Sequence, residues 1–245
     1  MLYMTKAEII SNEMMSLFDE SQASHLCRFF KTGKGEYGEG DKFLGIKVPV
    51  TRSIVKKYRK DITLKEIDRL VNSEWHEIRL AGFLLLLEHY KYYIKANDSK
   101  MAKLSVEFYI NNIDKGNNWD LVDLVCEYIL GDWILHNPEE TIILYELADR
   151  EDSLWHQRVA IVSTLALIRA GKFDVTFRIA GKFLANPHDL IHKATGWMLR
   201  EIGKREGRSD LIEFLNKHKS IMPRTMLRYA IEKFPEDERK FFMCK

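Results

Sequence analysis

Apolar residues recur along this chain at intervals of three and four positions, separated by short polar interruptions, and no convincing alternating stretch occurs. That period belongs to helices rather than strands. Residues 5–31 hold two amphipathic patterns, roughly 5–18 and 21–31, parted near Asp19-Glu20-Ser21, where Ser21 can serve as N-cap. Phe43 to Pro49 is the nearest thing to an extended segment, and Pro49 suits the first turn of a basic helix running to Lys60. From Thr63 the pattern predicts helix after helix, roughly 63–71, 76–92, 100–114, 119–130, 138–150, 154–169, 173–184, 189–203, 207–216 and 223–233. Asn, Asp, Ser, Gly or Pro mark the joins, as at Asn97-Asp98-Ser99, Asn137-Pro138 and Asn186-Pro187.

Several of these helices open alike. Trp75-His76-Glu77-Ile78-Arg79-Leu80-Ala81, Trp155-His156-Gln157-Arg158-Val159-Ala160 and His188-Asp189-Leu190-Ile191-His192-Lys193-Ala194 each place Ala about six residues in. The spacing is compatible with two-helix repeats of about 35–45 residues. A repeat of that size cannot bury its apolar face alone, so neighbours must stack. The expected fold is all-α, a curved α-solenoid of such repeats with a concave side. No linker-like segment interrupts the series, so one domain is expected over 1–245, with N-terminal helices and a glycine-rich loop in 1–48 and repeats roughly over 49–245.

Composition narrows this picture only slightly. A chain of 245 residues, 46% hydrophobic, can bury a substantial core. The start Met1-Leu2-Tyr3-Met4-Thr5-Lys6 lacks a signal-peptide apolar core, and the run Phe83–Leu87 is too short to span a bilayer, so a cytoplasmic protein is expected. Cys27, Cys126 and Cys244 are too far apart for a paired metal or disulfide motif and read as free thiols. The net charge is only +2, but residues 1–60 and 187–245 lean basic while 100–153 carry about three acids per base. A basic rim around an acidic centre suits a polyanion held over a site that needs a carboxylate; helix faces that simply differ in charge would look the same.

The glycines of Gly33-Lys34-Gly35-Glu36-Tyr37-Gly38-Glu39-Gly40-Asp41 satisfy G-x-G-x-x-G, yet a helix precedes them and acids follow, so a phosphate loop is rejected in favour of an irregular turn. Tyr37 at its tip either touches a partner or tucks against the core. Asn118-Trp119-Asp120-Leu121-Val122-Asp123 sets Trp119 and Asp123 four residues apart, on one helical face, at the start of an apolar segment. Asp120 reads as an acid favoured in a first helical turn. Arg158 lies at the border of a packed face, as a snorkelling side chain or a phosphate clamp. Trp197 has Lys193, Arg200 and Lys204 at −4, +3 and +7, an aromatic within a basic stripe, which suits a nucleic-acid backbone. Taken singly, each of these residues is as well explained by packing or ion pairing. His76 and His156, each following a Trp, look like capping residues, and no zinc spacing, Walker A loop or nucleophile elbow is present in the sequence. No metal or cofactor is expected.

Together, Phe43-Leu44-Gly45-Ile46, Trp119-Asp120-Leu121-Val122-Asp123, Trp155-His156-Gln157-Arg158, Lys193-Ala194-Thr195-Gly196-Trp197 and Arg224-Thr225-Met226-Leu227-Arg228-Tyr229-Ala230 resemble the bacterial DNA alkylation repair glycosylases of the AlkD type, built from HEAT-like repeats. The resemblance spans essentially the whole chain. It implies a concave basic groove for duplex DNA and excision of cationic bases such as 3-methyladenine and 7-methylguanine, without flipping the base into a pocket. It also implies that Trp119, Asp123 and Arg158 are catalytic, and that Trp197 is a second groove tryptophan. Lys193, Arg200, Lys204 and Tyr37 are the expected further DNA contacts. The Gly33–Asp41 loop is longer and more acidic than the family's DNA-contacting N-terminal segment would suggest.

No lysine is placed beside Asp123, so hydrolysis without a Schiff base, a monofunctional glycosidase acting as a monomer, is the expectation. A non-catalytic HEAT-like binder of damaged or branched DNA is the alternative, and a protein-binding scaffold the third reading, with the acidic 100–153 region as its best argument.

Overall fold

The computed structural model describes residues 4–244; Met1 to Tyr3, part of the N-terminus read above, and Lys245 lie outside the described residues. It is all-α, with no strand among the described residues and one isolated bridge between Lys42 and Trp75. No helix among them is long and apolar enough to cross a membrane. Two compact units divide the chain, Met1–Val125 and Cys126–Lys245.

The first unit contains α1 (Lys6–Met15), α2 (Glu20–Phe29), α3 (Val48–Tyr58), α4 (Leu64–Val71), α5 (His76–Lys95), α6 (Ser99–Asn111) and α7 (Trp119–Asp123). Thr5 and Thr63 close reciprocal capping boxes with Glu8 and Glu66 at the starts of α1 and α4. The cap of α2 is Asp19 rather than Ser21: its carboxylate accepts the Gln22 N–H at 3.0 Å, two residues earlier than the apolar pattern suggested. Helix α5 is buried on nearly every side from His76 to Leu87, because α3, α4, α6 and α7 all pack against it. A helix so enclosed shows little amphipathic bias, and its sequence reads as an almost continuous apolar run.

Of the segment expected to be extended, 43–49, residues 43–47 are irregular backbone attached to the head of α5, and Val48 and Pro49 already belong to α3. The buried carboxylate of Glu77 accepts N–H groups from Leu44 (2.8 Å), Gly45 (2.8 Å) and Ile46 (3.0 Å). Gly45 has φ +85°, and a Cβ there would lie 2.4 Å from the Asp19 carbonyl oxygen, so glycine is required at this crossing.

The second unit contains a π turn (Glu127–Gly131), then α8 (Asp132–His136), α9 (Ile142–Ala148), α10 (Leu154–Ser163), α11 (Leu165–Arg169), α12 (Asp174–Lys182), α13 (Asp189–Gly203), α14 (Arg208–His218), α15 (Arg224–Ala230) and α16 (Glu236–Met243). Here the sequence pattern ran past real breaks. The helix expected over 119–130 ends at Asp123, and the one over 154–169 is interrupted at Thr164, whose hydroxyl donates to the Ile161 carbonyl at 2.7 Å. Apolar periodicity continues through such breaks because burial does; the backbone hydrogen bonding does not. Helix α13 packs most extensively on α15, at Gly196, where a Cβ would sit 2.5 Å from the Met226 carbonyl oxygen. Two of the sequence motifs thus meet through a glycine.

Replacing Glu77 with Ala strands the amides of residues 44–46 without an acceptor. A loss of about 3 kcal/mol is expected, visible as a lowered urea midpoint at unchanged slope.

Candidate active site

Asn118 caps α7, its side-chain oxygen accepting the Trp119 N–H at 2.9 Å, and the single helical turn that follows puts Trp119 and Asp123 along one cavity of about 330 Å³. Aromatic rings from distant parts of the chain form its apolar wall. Trp119 stacks on Phe30 with centroids 5.1 Å apart, and Phe30 stacks on Phe43 at 5.1 Å. Phe43 in turn lies against the His76 imidazole at 4.3 Å. Phe29 meets Trp119 edge-on at 5.9 Å and remains 57% exposed, an unusual position for so large a ring. Lys47, at the N-cap of α3, lines the same cavity. Lys47 is remote from Asp123 in sequence, and the fold sets both on the wall of one cavity.

Beneath the rings lies a buried charge cluster that sequence reasoning missed. His76 is 1% exposed, with Nδ1 2.8 Å from Asp41 Oδ2 and Nε2 2.9 Å from Asp120 Oδ2. Arg79 donates to Asp41 Oδ1 at 2.6 Å and to Asn117 Oδ1 at 2.8 Å. His76 is thus no capping residue, and Asp120 does more than favour a helix dipole. The available signal was three ionisable groups, His76, Glu77 and Arg79, in the first turn of a helix otherwise apolar enough to be buried. Burial pushes the imidazole toward its neutral form, but the charge and hydrogen bond of Asp120, and then those of Asp41, raise its pKa to about 9. Burial also works against the Asp41 carboxylate; His76 and Arg79 outweigh it and hold the pKa below the ordinary value.

The glycine-rich loop consumes its own donors. Gly33 N–H and Gly35 N–H donate to Glu36 Oε2 (2.9 Å) and Glu39 Oε2 (2.8 Å), which leaves those amides no phosphate to bind, and Tyr37 is half-buried among these turns.

The remaining candidates belong to the second unit. Arg158, 6% exposed in α10, donates from Nη1 to the Leu190 carbonyl at 2.8 Å. Trp197 is half-buried on α13. The stripe around it is a paired face: Lys193 bridges Asp189 at 2.7 Å, Lys204 bridges Glu201 at 2.6 Å, and Arg200 bridges Glu232.

Residues 10–234 match the family described as DNA alkylation repair enzyme. The chain belongs to that family. A solved structure, the predicted DNA alkylation repair enzyme from Enterococcus faecalis, superposes with a TM-score of 0.70 at 16% identity, covering 89% of this chain and 97% of that one. At that identity the likeness speaks for the fold. No protein with a curated description matches the chain. Membership of the DNA alkylation repair enzymes supports a role in DNA repair.

The linkage follows from the sign of the His76 shift. Its folded pKa of about 9 lies above the roughly 6.5 of an unfolded histidine, so its stabilisation is complete below that lower value and is lost as the pH rises through the higher one. Thermal melts should fall across that window, by an amount on the order of 3 kcal/mol at most, and the slope should flatten in His76→Gln. Asp41, with a depressed pKa, adds a separate loss only in acid.

Proposed function

We propose that this protein is a DNA glycosylase that hydrolyses the N-glycosidic bond of cationic N-alkylpurines, such as 3-methyladenine and 7-methylguanine, in duplex DNA. The observation that carries the reading is the shared cavity of Trp119 and Asp123 in a chain of the DNA alkylation repair family. A purine alkylated to a cation leaves as a neutral base and needs no general acid. What must be stabilised is the oxocarbenium-like deoxyribose. Asp123 opposes that positive charge and orients a water toward C1′, while the face of Trp119 packs on the sugar and favours the cation. Arg158 takes the role of a phosphate clamp.

Lys193, Arg200 and Lys204 exchange their carboxylate partners for phosphates, with Trp197 against the sugar-phosphate backbone. Each exchange sacrifices an existing ion pair, so the net gain per contact is smaller than for a bare cation. The same repair chemistry requires no metal or amine nucleophile, which supports a monofunctional enzyme.

Release of 7-methylguanine from methylated duplex DNA tests the reading. Asp123→Asn should lose on the order of 10² or more in rate while still shifting DNA in a gel; excision at the wild-type rate would remove Asp123 from the mechanism. Lys47 calls for a separate check. Borohydride added to protein and abasic duplex DNA should trap no covalent adduct, and an adduct that disappears in Lys47→Met would make the enzyme bifunctional.

A further inference from the structure

We infer that Arg79, Asp41, His76 and Asp120 form one charge chain that fixes α7 against the head of α5, so that His76 is a positioning residue for Trp119 and Asp123. The catalytic consequence rests on the glycosylase reading; the mechanical link does not.

Geometry makes the case. Both ring nitrogens of His76 face carboxylate oxygens, Asp41 at 2.8 Å and Asp120 at 2.9 Å. A carboxylate only accepts, so two such partners require N–H on both nitrogens, which only the imidazolium has. The groups facing it come from each neighbouring segment. Asp41 arrives from the end of the glycine-rich loop, Asp120 from α7, and Arg79 from α5 itself, while Glu77 turns away to residues 44–46. The rings of Phe43 and Phe30 lie against the imidazole, with centroids at 4.3 and 5.2 Å.

The two carboxylates are unequally supported. Asp41 also holds Arg79 and accepts the Lys42 N–H at 3.1 Å, whereas Asp120 Oδ1 is buried with no hydrogen-bond partner. His76 is therefore what keeps Asp120 compensated in the interior. A charge left alone there is costly enough to move the element that bears it. Asp120 sits in the first turn of α7, directly after Trp119 and three residues before Asp123. A five-residue helix has little stability of its own, so its direction follows from how its ends, its buried Leu121 and Val122 and its one buried charge are held. Loss of the ring proton leaves one carboxylate facing a lone pair and replaces the cation at Asp120 by, at best, a neutral donor.

The link is tested on the unmodified protein by NMR of ¹³C-labelled tryptophan, following the Cδ1–H signal of Trp119, assigned through Trp119→Phe. That signal should move with pH alongside the His76 ring, with a midpoint near the raised value of about 9, while those of Trp133 and Trp155 stay still. In Asp120→Asn the movement should vanish. A Trp119 signal indifferent to the titration of His76 would overturn the inference.

Single-turnover excision at saturating enzyme supplies the second arm. Asp120→Asn and His76→Gln should each slow the chemical step about tenfold, a geometric loss, with DNA affinity unchanged. The double variant should lose no more than either single one, as expected of members of one unit. An excision rate untouched by Asp120→Asn would equally refute positioning. Should wild-type protein release no base, the glycosylase reading fails, and the ring-carbon titration still decides whether His76 sets α7.

Discussion

A positive charge sealed between two carboxylates at the head of α5 is the constraint on which the candidate site depends. His76, Asp41 and Asp120 are each nearly inaccessible; His76 compensates both carboxylates, and Asp41 has Arg79 as well. Arg79 extends the cluster to the loop at Ser73 and to Asn117, so one set of charges gathers the segments that surround the aromatic cavity. Glu77, the next residue along, performs a parallel task with backbone amides as partners. The start of one helix thereby anchors both the 41–46 segment and the short α7. Hydrophobic contact gives these elements their affinity for one another, but it is non-directional; the hydrogen-bonded charges add the direction that a site requires.

The surface around Trp197 obeys the opposite logic. Lys193, Arg200 and Lys204 are paired with acids in or beyond their own helix, and at least two of the pairs are partly exposed. Such pairs add little to stability and can trade partners readily. That suits the proposed exchange of carboxylates for phosphates, where a buried cluster like that of His76 would not yield. Held charges lie under the cavity and exchangeable ones on the face expected to meet a polyanion.

Some of the candidate site was legible in the residues themselves. Trp119 and Asp123 are four apart, and a single turn of helix sets both on one face, the face that lines the cavity in the fold. The rest was not. Phe29, Phe30, Phe43, Lys47 and His76 reach that cavity from other helices and loops, and nothing in their local sequence names a common destination. Asp120 shows the limit most clearly: as a letter it is a favourable first-turn acid, and only a histidine 44 positions away makes it a buried ion-pair partner.

What the sequence determined by itself was the helical class and most of the helix starts, though not α8 or α16. The 3.6-residue period and the capping residues are local physics, already present before the chain folds back on itself. It did not determine where long apolar patterns break, as after Asp123 and at Thr164, nor that residues 44–46 hang from Glu77. Tertiary structure decided those, together with the charge state of His76 and the company of Asp123. The physical reason is that burial and the strength of an ion pair depend on distances between residues far apart in the chain, and those distances exist only after packing.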